Sequence, residues 1–342
     1  MRIGFYVTGS ATGGYRELLD QVEYAEAAGF ESVWLRERHF HRDHQGRNFF
    51  SSPMVVASAI AARTSRVRIG LGARILPLDH PVRLAEDAVA VDLVSAGRID
   101  LGIARVGEND LYEAAFGRTK EEARGRFEEA LEIMLLAWTG ERFSYRGEHF
   151  SVPEVAVLPR PLQRPHPPLY LVGVSPETLA FGAARGLPLL LAGAQPVAEV
   201  KRTREAYREL LADAGHEPED VRLPLNRFVY VAETAEQAIE ETRAAVMGFI
   251  GRKGSVIRDF LSVPDGEITE RLLHDEVFIF GDADRCLERI EELRGELDVR
   301  DLILTFNYFT IDHDRCRRSM ERFTEQVLPE LRRRPVGVGA GG

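Results

Sequence analysis

Short runs of apolar residues alternate with amphipathic helical segments along almost the whole chain. The apolar runs that read as β-strands are 3–7, 30–36, 67–74, 99–105, 169–173, 187–192, 222–231 and 302–306. The 3.6-residue periodicity between them predicts helices over 15–28, 53–62, 81–95, 119–138, 176–185, 198–214, 235–250, 282–294 and 313–333. Eight strands, nearly all followed directly by a helix, favour an α/β fold of the (β/α)8 TIM-barrel type over a doubly wound open sheet.

Two segments interrupt this alternation. Residues 139–168 carry two short aromatic runs and a proline-rich stretch, which predict a small hairpin and an extended connector. Residues 251–276 read as an irregular insertion with short helical pieces. Because the alternation resumes after each, we expect one barrel domain over 1–334 with insertions at 139–168 and 251–276, and a disordered tail at 335–342.

Composition and net charge limit which binding partners and which cellular compartment are expected. The 342 residues include 44 basic and 54 acidic side chains, a net charge of −10, which argues against nucleic acid and anionic membranes as partners. The chain opens on a β-like run and contains no long apolar span, so we expect a cytoplasmic protein. Cys286 and Cys316 lie in predicted helices and are expected to be structural thiols.

Ionisable side chains cluster directly after the second predicted strand. Glu37, His39, His41, Asp43 and His44 follow one another within a few positions. In a barrel the carboxyl ends of the strands line the active site, so a general base or a substrate-positioning imidazole is expected here. A metal site and a solvated polar loop are the competing interpretations, and the spacing lacks the helical regularity that would favour a metal.

The third predicted strand ends in small residues. Gly70, Gly72 and Ala73 allow a flat ring to approach the backbone, although a tightly packed barrel core explains them equally well. His80 precedes Pro81 at a helix start and is either a capping residue or a catalyst.

Two arginines follow the fourth strand. Arg105 leaves an apolar strand at the barrel mouth and needs a counter-charge, which a phosphate, a substrate carboxylate, or a salt bridge to Glu108 or Asp110 would supply. Arg124 reaches the same face or is simply solvated.

A helix start after the fifth strand offers an anion cradle. Ser175 stands at the N-cap with Pro176 at the first helical position, and the Ser175 and Thr178 hydroxyls add to the free backbone N–H groups. Such a set suits a phosphate monoester, and an ordinary helix cap is the alternative. The usual glycine-rich dinucleotide loop, the Walker loop and the serine-hydrolase elbow are absent.

Taken in order, these segments resemble the bacterial luciferase-like flavin monooxygenases over residues 1–334. The fragments that carry the likeness are 28–35 (AGFESVWL) with 37–40 (ERHF), 76–77 with 80–83 and 86–87, 95–102 (SAGRIDLG), 116–117, 168–172 (PLYLV), the Ser175 helix, 186–188 and 327–329. The resemblance implies a barrel that binds reduced FMN from a separate flavin reductase and uses O2 to oxygenate a small organic substrate.

The resemblance also assigns roles to single positions. The phosphate contacts of the family fall on Arg105, Arg124, Ser175 and Thr178, and Val172 and Val174 complete the cofactor-binding set around them. Gly72-Ala73 matches the place where family members carry a non-prolyl cis peptide beneath the flavin ring. The catalytic candidates are His39, Arg38, Glu37 and His44, with His39 preferred for proton transfer or substrate positioning, and no metal is expected.

Three departures from the family pattern limit the resemblance. The motif after strand two is commonly Glu-His-His, and its first histidine is Arg38 here, which argues against light emission and suits an anionic substrate. Ala104 replaces a reactive thiol of luciferase, and Val106 follows Arg105 where glycine is usual. A deazaflavin-dependent hydride-transfer enzyme on the same barrel and a non-catalytic flavin-binding protein therefore stand as alternatives.

Assembly and substrate choice follow by analogy. The family is usually dimeric, and the predicted helices 53–62 and 81–95 carry small apolar residues suited to packing between subunits. These are Ala57, Ala59, Ala61, Ala62, Ala85, Ala88 and Ala90. Segments 41–52, 106–115 and 251–276 are expected to shape the substrate pocket.

Overall fold

The computed structural model describes residues 1–8, 14–40, 51–105, 110–119, 121–250, 267, 269–307 and 311–333. The strands, in chain order, are β1 (Arg2–Val7), β2 (Ser32–Leu35), β3 (Arg68–Ile75), β4 (Ile99–Ala104), β5 (Phe143–Arg146), β6 (Ser151–Val155), β7 (Leu169–Val172), β8 (Leu189–Leu190), β9 (Leu225–Val231), β10 (Phe278–Gly281) and β11 (Asp301–Thr305).

Helices follow most of these strands. They are α1 (Tyr15–Ala28), α2 (Pro53–Arg63), α3 (Pro81–Val94), α4 (Asp110–Phe116), α5 (Ala123–Thr139), α6 (Pro176–Ala183), α7 (Val197–Asp213), α8 (Ala235–Ile250), α9 (Glu270–Leu272) with a π-helical turn (Leu273–Val277), α10 (Ala283–Leu297), α11 (His313–Arg322) with a π-helical turn (Phe323–Val327), and α12 (Leu328–Arg333). No helix in this part of the chain is both long enough and apolar enough to cross a membrane.

The main sheet has nine strands in the order β10-β9-β11-β1-β2-β3-β4-β7-β8, and neighbouring strands run parallel. The Leu191 N–H donates to the Pro224 carbonyl (2.9 Å), and the Asn226 N–H donates to the Leu191 carbonyl (3.1 Å). These bonds join β8 to β9 and close the sheet into a barrel, which confirms the predicted fold class.

The ninth strand, β10, was not predicted. It pairs with residues 228–231 of β9, beside the barrel closure. Its four residues, FIFG, end in glycine and follow directly on the irregular segment. So short a run carries too little periodicity to be recognised from sequence.

Several predicted boundaries also need correction. The strand predicted over 187–192 is reduced to Leu189–Leu190, and the one predicted over 222–231 begins at Leu225. Prolines precede both starts and have no N–H to donate to a strand ladder. The helix predicted from residue 119 begins at Ala123, and the second half of the predicted 106–115 loop is the helix Asp110–Phe116.

The predicted hairpin is confirmed as the antiparallel pair β5 and β6. The Glu129 carboxylate of α5 accepts hydrogen bonds from the backbone N–H groups of Glu148 (2.8 Å), His149 (3.1 Å) and Phe150 (3.0 Å). One carboxylate thus satisfies three neighbouring donors of the hairpin turn and fastens it to the barrel wall.

Two layers of side chains stabilise the barrel, one inside it and one between its strands and the surrounding helices. Inside, Trp34 and Tyr170 meet edge to face at 5.1 Å and pack with Leu190 and Ile303. Outside, the strands bury their other face against the helices. Ion pairs close the end where the strands begin: Arg68 to Asp100 (2.7 Å) and Arg222 to Asp301 (2.8 Å). The opposite end, where the strands finish, carries the candidate site.

Both cysteines are buried, Cys286 in α10 and Cys316 in α11, as expected of structural thiols. Burial raises the pKa of each thiol, so neither is activated as a nucleophile.

Candidate active site

The parallel pairing of β4 with β7 brings two distant segments together. Gly102 of β4 stands opposite Tyr170 of β7, so the chain leaves both strands at the same end of the barrel. Arg105 follows β4 directly, and Ser175 follows β7 as the N-cap of α6. The barrel thus places Arg105 and Ser175 close together, although they are far apart in the sequence.

The guanidinium of Arg105 sits on the first turn of α6. Its Nη2 atom donates to Ser175 Oγ and to Thr178 Oγ1, each at 3.1 Å. The two hydroxyl oxygens are 2.9 Å apart, and the Thr178 N–H donates to Ser175 Oγ at 3.3 Å. A fixed positive charge, two hydroxyls and a helix N-terminus converge, which is the donor set of an anion site.

These residues line a cavity of about 200 Å³. The predicted residues Val172, Val174 and Arg124 line the same cavity. Arg124 is about half exposed and donates from Nε to Glu128 at 3.1 Å. The structure therefore brings the predicted phosphate-binding set together around one space.

The Gly72–Ala73 peptide bond is cis, as the resemblance implied. The register between β3 and β4 shifts at the same place, between Leu71 and Arg74. A Cβ atom on Gly72 would come within 3.0 Å of Leu190 Cδ2 and of Tyr6 Cε2, so the backbone here is in close contact with its neighbours.

Tyr6 supports this backbone from inside the barrel and was missed by the sequence analysis. Its hydroxyl donates a short hydrogen bond to the Gly72 carbonyl. Burial raises the pKa of Tyr6 to about 12, although the nearby Arg36 guanidinium acts in the opposite direction. The phenol therefore stays protonated and remains a donor. Its inward position follows from the alternation along β1, which is the one signal that sequence offered.

Glu37 lies at the centre of a buried polar group behind the second strand. Its side chain is fully buried and accepts hydrogen bonds from the Arg74 guanidinium and from the Ile75 N–H (2.7 Å). Arg74 also pairs with Asp79. Burial acts to lower the pKa of Arg74, but the Glu37 and Asp79 carboxylates outweigh it and the pKa is raised. Glu37 is thus an anchor for its neighbours.

His39 is held against this anchor. Its Nε2 atom lies 2.9 Å from Glu37 Oε1, and its backbone N–H donates to the Tyr112 hydroxyl at 3.2 Å. The ring meets Phe116 edge to face at 5.0 Å and Tyr112 at 5.8 Å. Because a carboxylate only accepts hydrogen bonds, we assign the Nε2 atom of His39 as the donor in its contact with Glu37.

Tyr112 was not predicted, because it lies in the segment 106–115 that was assigned to a loop, and Phe116 entered the sequence analysis only as part of the family likeness. Tyr112 and Phe116 are four residues apart and share one helix face. That spacing was the available signal.

The remaining candidates divide into those that the structure describes and those that it does not. Arg38 is buried, with 9% of its surface exposed. His80 makes no side-chain capping bond, and its ring stands edge to face against Phe150. His41 and His44 lie outside the described residues. Within the described ranges, no group of three His, Cys, Asp or Glu side chains is arranged to hold a metal ion.

Comparison with known proteins gives one family. Residues 1–299 match the family model described as luciferase-like monooxygenase. An uncharacterized protein of Sinorhizobium fredii, y4wF, is 35% identical over 229 residues, which cover 65% of this chain and 64% of that protein. The oxygenase component of the flavin-dependent trigonelline monooxygenase of Acinetobacter baylyi is 29% identical over 232 residues, or 66% of this chain and 61% of that protein.

These two matches span less than two thirds of each relative's length. Among solved structures, the monooxygenase RslO1 from Streptomyces bottropensis superposes with a TM-score of 0.80 at 26% identity, covering 97% of this chain and 100% of that one.

Proposed function

Because the chain belongs to the luciferase-like monooxygenase family, we propose that it is the oxygenase component of a two-component system that uses reduced FMN. A separate flavin reductase would supply the reduced cofactor, and O2 and a small organic substrate would be the other reactants. The observation that carries this proposal is the contact of Arg105 with Ser175 and Thr178 at the start of α6.

The residues present fit FMN. Arg105, Ser175 and Thr178 offer a guanidinium and two hydroxyls to a phosphate, and Arg124 lines the same cavity. The cis Gly72–Ala73 peptide lies where the family resemblance places the flavin ring. When bound, reduced FMN supplies the electrons that activate O2.

Proton handling falls to His39. Glu37 accepts a hydrogen bond from His39 Nε2–H and fixes the orientation of the ring, so Nδ1 is the atom that accepts or releases a proton. Glu37 is fully buried behind the imidazole and therefore acts as a positioning residue. Tyr112 and Phe116 exclude water from two sides of the ring.

The test combines turnover with binding. With a flavin reductase, NADH and a panel of candidate substrates, the wild type should consume O2 in step with product, and His39→Asn should lose most product while binding FMN normally. Unchanged turnover in His39→Asn would remove the histidine from the reaction. Anaerobic reduction of a deazaflavin by an alcohol, without O2 uptake by the FMN system, would favour hydride transfer instead.

We also propose that residues 1–334 form one domain, because β1 pairs with β11 and so joins the two ends of the described chain. A single cooperative unfolding transition is expected, and two separate transitions would contradict this proposal.

A homodimer is proposed through α2 and α3. Four of the seven alanines predicted for this contact, Ala57, Ala61, Ala85 and Ala88, are buried within the chain itself and are not available to a partner. The outer face instead presents Val55 and Val94, which are 70% and 58% exposed. Val55 lies in the first turn of α2 and Val94 ends α3, so each is a single exposed apolar side chain, and the proposal rests mainly on the resemblance to a family that is usually dimeric.

A further inference from the structure

A second cavity, of about 250 Å³, lies at the end of the barrel where the strands begin, opposite the candidate active site. We call it the basal cavity. Five of the residues that line it are arginines and four are Asp or Glu, so positive charge is in excess there. On the barrel side, Asp301 is shared by two of these arginines, Arg2 (2.5 Å) and Arg222 (2.8 Å).

The other three arginines of the basal cavity meet at Asp298, the residue that follows α10. Arg204 Nη2 donates to the Asp298 carbonyl at 3.3 Å, and Arg208 Nη2 donates to the Asp298 carboxylate at 3.4 Å. Arg300 Nη2 lies 3.4 Å from the same carboxylate oxygen. One aspartate therefore faces three guanidinium groups, two from one side of α7 and one from the start of β11.

The pairing of Arg208 is incomplete. Its contacts with Asp298 and Glu219 are 3.4 and 3.6 Å long, whereas a good charge-assisted hydrogen bond measures about 2.7–2.9 Å. Its Nε atom is buried and has no hydrogen-bond partner among the described residues. A buried donor without an acceptor is costly, so the Arg208 fork has capacity for a further acceptor.

Arg204 supplies a buried charge beside it. The residue is 5% exposed, and its guanidinium donates to the carbonyls of Leu223 (3.0 Å) and Asp298 (3.3 Å). It reaches no carboxylate within 4 Å in the part of the chain that the structure describes. Burial, reinforced by the neighbouring Arg208 guanidinium, lowers the pKa of Arg204 to about 10. Arg204 therefore remains charged at neutral pH, with main-chain dipoles as its acceptors.

We propose that the basal cavity binds a small oxyanion, either a phosphate ion or the phosphate group of a monoester, between Arg204, Arg208 and Arg300. Planar guanidinium forks match the geometry of phosphate oxygens and can bind them in pairs. The side chains of Arg208 and Arg300 are 31% and 54% exposed, so both can turn toward a ligand that enters from solvent. The site is independent of the proposed flavin cradle, which lies at the other end of the barrel.

The experiment titrates the full chain with inorganic phosphate by calorimetry, at constant ionic strength in chloride. All proteins carry Arg105→Ala, which removes the phosphate contact proposed for the cradle. They are the Arg105→Ala protein itself and the same protein with Arg208→Gln or with Arg202→Gln. Arg202 is the matched control, because it lies on the same helix, does not line the basal cavity, pairs with Glu199 and loses the same charge.

We expect the Arg105→Ala protein to bind one phosphate per chain. Arg208→Gln should raise the Kd for phosphate by about three- to tenfold, less than a fully buried charged contact would give, because Arg208 is partly exposed. Arg202→Gln should leave the Kd unchanged. Glycerol 3-phosphate is titrated in parallel: tighter binding than that of inorganic phosphate identifies a monoester as the ligand, and equal or weaker binding identifies the free ion.

A specific loss in Arg208→Gln supports the proposal. No saturable binding of phosphate to the Arg105→Ala protein overturns it, and so does an equal change in Arg208→Gln and Arg202→Gln. Thermal unfolding of each protein with and without phosphate shows whether it is folded, and a bound anion should raise the melting temperature. If Arg208→Gln does not fold, Arg300→Gln, whose side chain is more exposed, takes its place with the same expected loss.

Discussion

Arg105 Nη2 lies 3.1 Å from Ser175 Oγ, although the two residues are 70 positions apart in the chain. Neither segment alone specifies an anion site: one is an arginine after a strand, and the other is a helix cap. The parallel pairing of β4 and β7 combines them at the carboxyl end of the barrel. The phosphate site that we propose is therefore a property of the fold as much as of either motif.

The buried carboxylate of Glu37 should be essential to stability. Glu37→Gln leaves the Arg74 guanidinium buried without its main counter-charge, so we expect the free energy of unfolding to fall by about 2–4 kcal/mol. Asp79→Asn removes the other partner of Arg74, but that carboxylate is 43% exposed, and the expected loss is below about 1 kcal/mol. Urea denaturation of both variants measures the difference, and equal losses would contradict the account.

Glu26 should make stability depend on acid pH. Burial acts to raise its pKa, but hydrogen bonds from the N–H groups of Val67, Arg66 and Ser65 outweigh it, and the pKa is lowered from its usual value of 4.5. A carboxylate with a lowered pKa in the folded state stabilises the protein above its unfolded-state pKa and loses that contribution as pH falls through the folded-state value.

The wild type should therefore exceed Glu26→Gln in unfolding free energy at pH 7, by up to about 1 kcal/mol. This difference in unfolding free energy between the wild type and Glu26→Gln should decrease below pH 4.5 and disappear at lower pH. Glu23→Gln is the control, since the Glu23 carboxylate is exposed and faces Arg63 at 3.3 Å. A gap that stays constant from pH 7 to pH 3 would rule out the three N–H bonds as its source.

The outer face of α2 and α3 should mediate assembly. We expect a dimer in light scattering at micromolar concentration, and a shift to monomer in Val94→Glu, because a carboxylate in an apolar contact is costly to desolvate. Met247→Glu, on α8, is the control, as Met247 is also half exposed but lies on another helix. A wild type that is monomeric under these conditions would refute the proposed dimer.

The sequence predicted most of the barrel because each βα unit carries its own local periodicity. The cradle was also predictable, since Ser175 and Thr178 form a local cap pattern and the strand order places Arg105 beside them. The surroundings of His39 were not predictable. Its contact with the Tyr112 hydroxyl spans 73 positions and depends on how α4 packs over the loop after β2, which no local pattern encodes.

Two other contacts were missed because they also join residues that are far apart in the sequence. The support of Gly72 by Tyr6 spans 66 positions, and the pairing of Glu37 with Arg74 spans 37. Sequence reasoning identified Glu37 as a candidate catalyst because it is a carboxylate near histidines. Its complete burial, on which the proposed positioning role rests, is a tertiary property.

The most direct test of the central claim is the affinity of the wild type and Arg105→Ala for FMN and for riboflavin. Each hydrogen bond to a charged group contributes about 1.5–3 kcal/mol, so Arg105→Ala should weaken FMN binding by about 10- to 100-fold. Riboflavin binding should change little, because it has no phosphate for Arg105 to contact. Equal affinity of the wild type for the two flavins, or unchanged FMN binding in Arg105→Ala, would contradict the proposed phosphate site and the function built on it.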